Sequence, residues 1–132
     1  MKSPNILQTL VDLAKQGLWE NVDALLSTHA NDIAVITWAR VNTQNRDLNL
    51  RDLSASIYEV STVTLEENDI EKLLVMMREQ IENPYPRFRA ACALVKRANT
   101  IEKYFVGEAK VILREHLNDE DVADIAKTYL GI

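Results

Sequence analysis

The sequence predicts an all-α fold made of antiparallel helical hairpins, and three observations lead to that prediction. Apolar residues recur every three or four positions along most of the chain, which is the spacing of one face of an α-helix. Only three glycines and three prolines occur among 132 residues, so little material is present for β-turns. Few polar residues separate successive apolar segments, which favours antiparallel packing of neighbouring helices. A compact helical bundle is the alternative arrangement of these helices.

The first two helices are predicted to form a hairpin. Ser3 suits the N-cap position, and Pro4 suits the first helical position because its φ is already close to the helical value. Gly17 offers the left-handed conformation that commonly ends a helix. The second helix is expected to end near His29 and Ala30. The apolar positions of the pair are Ile6, Leu7, Leu10, Leu13, Ala14, Leu18, Val22, Leu25 and Leu26.

A second hairpin is predicted between residues 31 and 62. Asn31 and Asp32 are competent N-caps for its first helix. Many β-branched residues follow, which makes a strand the competing prediction, but no partner strand or hairpin turn lies nearby. The apolar residues of this helix cover more than one stripe and are Ile33, Val35, Ile36, Trp38, Ala39 and Val41. The next helix has a narrow apolar stripe of Leu50, Leu53, Ile57 and Val60.

The fifth helix has the clearest predicted start. Thr64 and Glu67 match the T-x-x-E capping box, in which the two side chains each accept a backbone N–H at the helix start. Acidic residues crowd the first turns, where the helix dipole favours negative charge. The expected core face consists of Ile70, Leu73, Leu74, Met77 and Ile81.

Residues 83–95, NPYPRFRAACALV, join the fifth helix to a sixth. Proline is excluded from a helix interior but fits a turn or a first helical turn, so Pro84 and Pro86 mark a corner. The fifth helix is expected to stop near Glu82 and the sixth to start near Pro86, with Asn83 as a cap. The predicted core face of the sixth helix is Phe88, Ala91, Cys92, Val95 and Ala98. The opposite face would carry Arg89, Ala90, Ala93, Lys96 and Arg97.

Two further helices complete the chain. Asn99 and Thr100 are expected to open the seventh helix, and Asn118 with the acidic residues after it to open the eighth. Gly131 is placed to close the eighth helix. Their apolar residues are Ile101, Tyr104, Phe105, Ala109, Ile112, Leu113, Leu117, Val122, Ile125, Ala126, Tyr129 and Leu130.

The last two predicted hairpins resemble each other, with their corner asparagines, Asn83 and Asn118, about 35 residues apart. The first of them resembles a HEAT repeat, whose turn reads roughly Asp-x-x-Pro-x-Val-Arg and leads into an alanine-rich helix. Pro86 and Arg89 match this pattern, while Asn83 replaces the aspartate and Phe88 the valine.

The final hairpin keeps Asp119 and Val122 of the pattern but lacks the proline and has Ala123 in place of the arginine. The resemblance is therefore good over residues 73–98 and weak over residues 105–130. Residues 1–61 show helical hairpins without the motif.

The resemblance implies a HEAT-like α-solenoid, a right-handed stack of about four antiparallel hairpins in one domain spanning residues 1–132. In such a stack the second helices line a continuous and usually concave surface. That surface is the candidate site for a partner. The predicted partner-binding residues are Arg89, Ala93, Lys96, Arg97 and Lys103.

Charge and cysteine content restrict the class of protein. Twenty acidic and fifteen basic residues give a net charge of −5, which disfavours general nucleic-acid binding. The single cysteine, Cys92, can form no internal disulfide. Gln8, Asp12 and Lys15 interrupt the first apolar run, which makes it unlike a signal peptide or a membrane span. A cytoplasmic location is expected.

No residue pattern indicates catalysis, a metal or a cofactor. His29 and His116 have no metal-ligand partner at helical spacing. Cys92 lies in an alanine-rich face and is interpreted as a small core residue. The three glycines do not form a phosphate-binding loop, and the acidic residues 119–124 lack the spacing of a calcium loop, so helix capping explains them.

We therefore expect a non-enzymatic protein–protein interaction module, a small scaffold or adaptor. An immunity or antitoxin-type protein fits this class, since such proteins are often small, acidic and helical. The alternative is a HEAT-like nucleic-acid-binding or DNA-repair protein that uses the basic span of residues 87–114, which carries seven basic and two acidic side chains.

Overall fold

The structure, a computed structural model, describes residues 5–132, and this part of the chain contains eight α-helices and no β-strand. The prediction of an all-α fold is confirmed, and the third element, for which a strand competed, is helical. The predicted start at Ser3 and Pro4 lies outside the described residues. The helices are α1 (Ile6–Lys15), α2 (Trp19–His29), α3 (Ile33–Val41), α4 (Leu48–Val60), α5 (Glu67–Arg78), α6 (Tyr85–Lys96), α7 (Lys103–Glu115) and α8 (Ala123–Leu130).

Side-chain caps and left-handed glycines define several helix ends. Asn5 caps α1, where its Oδ1 accepts the N–H of Gln8 at 3.0 Å. Gly17 follows α1 with φ of +72°, and Gly131 closes α8 with φ of +74°, so both glycines adopt the conformation expected of them.

The capping box at the start of α5 lies two residues later than predicted. Glu66, and not Thr64, is the N-cap, and its N–H donates to Oδ2 of Asp69 at 3.0 Å. Asp69 is buried, and it also binds Arg40 of α3 and Tyr58 of α4. The tertiary partners of Asp69 therefore fix the helix start, which the local T-x-x-E pattern did not show.

Other predicted boundaries shift by a few residues. α5 ends at Arg78 because Glu79 is already extended, with φ of −76° and ψ of +122°. α6 begins at Tyr85, whose N–H donates to Oδ1 of Asn83 at 3.0 Å. α8 begins only at Ala123, after a turn in which the carbonyl of Asp119 accepts two backbone N–H groups.

The core surrounds α6, which packs against α4, α5, α7 and α8. Because neighbours lie on most sides of this helix, burial is not confined to one face. Phe88 and Cys92 are fully buried as predicted, but Ala90 and Ala93, assigned to the opposite face, are also fully buried. The small side chains of α6 allow α4 to approach closely, and α4 and α6 form the most extensive helix pair in the structure.

The hairpins pack in chain order. α1 packs on α2, α3 on α4, α5 on α6 and α7 on α8, while α4 also contacts α1 and α2. Salt bridges join successive first helices: Arg40 of α3 to Asp69 of α5, and Arg78 of α5 to Glu108 of α7. Within residues 5–132 no helix combines the length and the apolar character needed to cross a bilayer.

Candidate functional site

A cleft opens between α2 and α8, with α4 and α6 as its floor. It consists of two cavities of about 440 and 420 Å³ that share Asp23, Arg89 and Ile125. We call this continuous hollow the α2–α8 cleft. Its lining is rich in carboxylates and aromatic rings and comprises Trp19, Glu20, Asp23, Ser27, Asp52, Glu59, Val60, Tyr85, Arg89, Asp121, Val122, Ile125, Thr128 and Tyr129.

Helical spacing brings these side chains to one place. Trp19 and Asp23 are four residues apart on α2, and Asp52 and Glu59 are seven apart on α4, so each pair shares a helix face. Arg89 of α6 binds Glu59 of α4, and the charge of Asp52 also acts on it.

Arg89, Glu59 and Tyr129 form a polar network that links α6, α4 and α8. Nη1 of Arg89 donates to Oε1 of Glu59 at 2.9 Å, and the hydroxyl of Tyr129 donates to Oε2 at 2.8 Å. Burial opposes the charge on Arg89, but the carboxylates of Glu59 and Asp52 raise its pKa above the ordinary value. Burial and the Glu59 carboxylate likewise raise the pKa of Tyr129. The network therefore holds a charged arginine and a neutral tyrosine at the cleft floor.

Asp52 is a buried carboxyl group of the cleft with one oxygen unpaired. The residue is only 6% exposed, and its Oδ1 has no hydrogen-bond partner. Burial raises the pKa of Asp52 to about 6, although Arg89 acts in the opposite direction. Burial also raises the pKa of Asp23, which lies on the facing wall. The second orphaned atom among the described residues is Nε of Arg89, in the same cleft.

The charge of the cleft is strongly negative. Five carboxylates face one cation, Arg89, and that cation is already bound to Glu59. Trp19, Val122 and Ile125 supply the apolar part of the walls. A ligand that enters this cleft meets an acidic surface with an aromatic edge. The carboxylates are Glu20, Asp23, Asp52, Glu59 and Asp121.

The five predicted partner-binding residues do not form one surface. Arg89 lines the cleft, whereas Ala93 has zero exposure and lies in the core. Lys96 and Arg97 lie together at the end of α4 and do not themselves line the cleft. Lys103 is exposed at the start of α7.

Lys96 and Arg97 bind backbone carbonyl groups of α4 and the segment after it. Nζ of Lys96 donates to the carbonyls of Glu59 at 2.8 Å and Val60 at 2.9 Å. Arg97 donates to the carbonyls of Tyr58 at 3.0 Å and Ser61 at 2.9 Å. Burial lowers the pKa of both basic groups. Their donors cap the C-terminus of α4.

Other cations of the basic span also have partners within the chain. Arg87 donates through Nε to the carbonyl of Met77 at 2.8 Å and forms a salt bridge with Glu115 at 3.2 Å. Arg89 is bound to Glu59 as described above. The positive charge that the sequence concentrates in residues 87–114 is thus used in large part to join helices.

Sequence reasoning missed the carboxylates of the cleft. Asp52 and Glu59 lie outside the apolar stripe of α4 and would be solvated if α4 packed through one seam. They are buried because α6 covers a second face of α4. Their seven-residue spacing was the available signal, together with the small residues Ser54, Ala55 and Ser56 between them.

Among residues 5–132 no three histidine, cysteine or acidic side chains form a group that could hold a metal ion. Cys92 is fully buried, and burial raises the pKa of its thiol, which keeps it protonated. Comparison of the chain with protein-family models, curated proteins and solved structures finds no match in any of the three.

Proposed function

We propose that the protein is a non-enzymatic module that binds another protein through the α2–α8 cleft. The observation that carries this proposal is the type of residue that the cleft collects. Trp19, Tyr85 and Tyr129 all line it. Tryptophan and tyrosine are among the residues that most often dominate the binding energy of protein interfaces, usually in a pocket. The predicted interaction site therefore moves from the end of α6 to this cleft, with Arg89 as the shared residue.

The HEAT-like stack remains our proposal for the arrangement of the hairpins. Second helices contact in succession, α2 with α4, α4 with α6 and α6 with α8. The salt bridges between α3 and α5 and between α5 and α7 link first helices in the same order. Both sets of contacts support stacking, and in such a stack the second helices line the binding surface.

An immunity or antitoxin-type protein is the sub-class that we propose for further study, and the gene next to this one would then encode a toxin. The nucleic-acid alternative has weaker support, because Arg87, Arg89, Lys96 and Arg97 bind groups of the chain itself. We expect no shift of a duplex oligonucleotide at about 50 mM salt, where binding to phosphates is strong.

The proposal is tested by affinity purification of tagged protein from its native cell, with quantification of the proteins recovered. Asp23→Arg places a bulky cation in the cleft, and Glu71→Arg makes the same charge change on α5, which does not line the cleft. A partner recovered by the wild type and by Glu71→Arg, but lost with Asp23→Arg, supports the proposal. Equal recovery with both variants overturns the cleft as the site, and catalytic turnover of a substrate by purified protein, with no partner recovered, overturns the function.

A further inference from the structure

We propose that the α2–α8 cleft binds an arginine side chain from a basic segment of the partner protein. The guanidinium would lie between Asp23 of α2 and Asp52 of α4, beside the ring of Trp19. This inference rests on the proposed function and names the chemistry of the partner.

The charge of the cleft selects a cation. Both cavities are lined by carboxylates, and Arg89 is their one positive side chain. Nη1 of Arg89 is bound to Glu59, and no salt bridge joins Arg89 to the carboxylates at the other end of the cleft, where Asp121 accepts a hydrogen bond from the hydroxyl of Tyr85 at 3.3 Å. Glu20, Asp23, Asp52 and Asp121 line that end. Complementary charge at an interface favours the correct partner and speeds its association.

Asp52 shows where the cation would act. A carboxylate that is 94% buried is costly when one of its oxygens has no donor. This cost applies to Asp52 at neutral pH, because a carboxyl group with a pKa of about 6 is then mostly ionised. A cation supplied by a bound partner next to Asp52 would offset the desolvation of its carboxylate. Asp52 belongs to the lining of a cavity that is wide enough for a side chain.

The shape of the cleft favours arginine over lysine and over a metal ion. Trp19 lies on the same face of α2 as Asp23, and a planar guanidinium can stack on an indole while its forked donors reach carboxylates. An ammonium group lacks this planar fork. The described carboxylates do not form a group that could hold a metal ion.

The experiment uses a fluorescently labelled peptide of alternating arginine and glycine, with the full chain at pH 7.5 and low salt. We expect saturable binding that weakens about tenfold or more in Asp23→Asn and in Asp52→Asn. Glu71→Gln is the matched control, since it removes one exposed carboxylate from α5 and should leave affinity unchanged. The lysine–glycine peptide is expected to bind less tightly than the arginine–glycine peptide.

The two tryptophans give a second readout within the same molecule. Trp19 lines the cleft and Trp38 of α3 does not, so the peptide should shift the indole N–H signal of Trp19 and leave that of Trp38 in place. Asp23→Asn changes an exposed side chain and keeps the test valid if Asp52→Asn alters folding.

The inference is overturned if Glu71→Gln weakens peptide binding as much as Asp23→Asn and Asp52→Asn do, or if the Trp19 signal does not move. It is also overturned if a glutamate–glycine peptide binds as tightly as the arginine–glycine peptide, or if the chain associates with itself through the cleft. If the peptide fails while the native partner still depends on Asp23, the function stands and the basic chemistry of the partner is wrong. If the native partner does not depend on the cleft, both proposals fall.

Discussion

The guanidinium of Arg97, the residue that follows α6, donates a 3.0 Å hydrogen bond to the carbonyl oxygen of Tyr58 in the last turn of α4. It also binds the carbonyls of Ser61 at 2.9 Å and Val63 at 3.1 Å. The last carbonyls of a helix have no partner within that helix, and a buried one left unpaired is destabilising. Arg97 therefore connects two central helices through the groups that α4 cannot satisfy alone.

Arg97→Ala is expected to lower the free energy of unfolding by about 2–4 kcal/mol, because several buried carbonyls lose a charged donor together. Arg97→Lys should recover only part of this loss, since an ammonium group cannot reach the same set of acceptors. Urea unfolding followed by circular dichroism measures the effect. Lys103→Ala, at an exposed position, should stay within about 0.5 kcal/mol of the wild type. A similar stability for Arg97→Ala and Lys103→Ala would contradict the capping role.

Phe88→Ala is expected to destabilise the protein by about 3–5 kcal/mol, because Phe88 has zero exposure and its removal leaves a cavity in the core. The ring also lies 4.8 Å from that of His116, so this aromatic contact between α6 and the residue that ends α7 would be lost. Tyr104→Ala is the control, because Tyr104 is 71% exposed. Thermal unfolding compares the two variants, and an unchanged melting temperature for Phe88→Ala would reject its place in the core.

The helices and many of their buried residues could be predicted from the sequence because both depend on local periodicity. Phe88 and Cys92 lie on a helical stripe, and the left-handed glycines mark helix ends that need no distant partner. The start of α5 could not be predicted in this way, because the Asp69 carboxylate that accepts the N–H of the N-cap Glu66 is held by partners on α3 and α4.

The cleft was missed for a related reason. A periodic stripe predicts one buried face, but α4 and α6 each bury more than one, which brings Asp52 and Glu59 into the interior. Arg97 was assigned to a partner-binding face because opposite faces of a surface helix are normally solvated. Burial of a second face of a helix depends on packing between distant segments of the chain. The residue pattern within that helix does not show which face will be covered.

Asp69 is expected to be the most costly carboxylate to replace. It accepts hydrogen bonds from Nε of Arg40 at 3.0 Å and from the hydroxyl of Tyr58 at 2.8 Å. Asp69→Ala leaves the buried hydroxyl of Tyr58 unpaired while water can reach Arg40, and we expect a loss of about 2–4 kcal/mol at pH 7. Tyr58→Phe should cost less, about 1–2 kcal/mol, since the carboxylate keeps its other donors.

The pH dependence of Asp69 gives a further check. Burial opposes ionisation, but the hydrogen bonds from Arg40 and from the N–H of Glu66 lower the pKa of Asp69 below its ordinary value of 3.8. Because its pKa is lower in the folded state, the ionised Asp69 stabilises that state at pH values above the ordinary pKa. This stabilisation is lost as the pH falls through the lowered pKa. The stability difference between the wild type and Asp69→Asn, measured by urea unfolding, should therefore shrink below about pH 4. A constant difference down to pH 2 would contradict this account.

Asp52 is expected to have the opposite pH dependence. Burial raises its pKa from 3.8 to about 6, so the folded state favours the protonated form. The stabilisation by the protonated carboxyl is complete at pH values below the ordinary pKa of 3.8 and is lost as the pH rises through about 6. Asp52→Asn should therefore become more stable relative to the wild type by about 3 kcal/mol between pH 3 and pH 8. Urea midpoints at several pH values measure this change, and Glu71→Gln, an exposed carboxylate, should show no comparable trend.

Arg89→Met should raise the pKa of Asp52 further, because Arg89 is the cation that now holds it down. Carbon-13 signals of the aspartate carboxyl groups report the titration directly, and Arg87→Met is the control, since Arg87 pairs with Glu115. At a pH above the midpoint that these signals give for the variant, Asp52 is charged, and the same change removes the cation that competes with a bound guanidinium. Arg89→Met should then bind the arginine peptide more tightly than the wild type does, provided that the variant is folded. A weaker interaction in a folded variant would contradict the role of Arg89 as a competitor and would mean that binding needs Arg89 or its ion pair with Glu59.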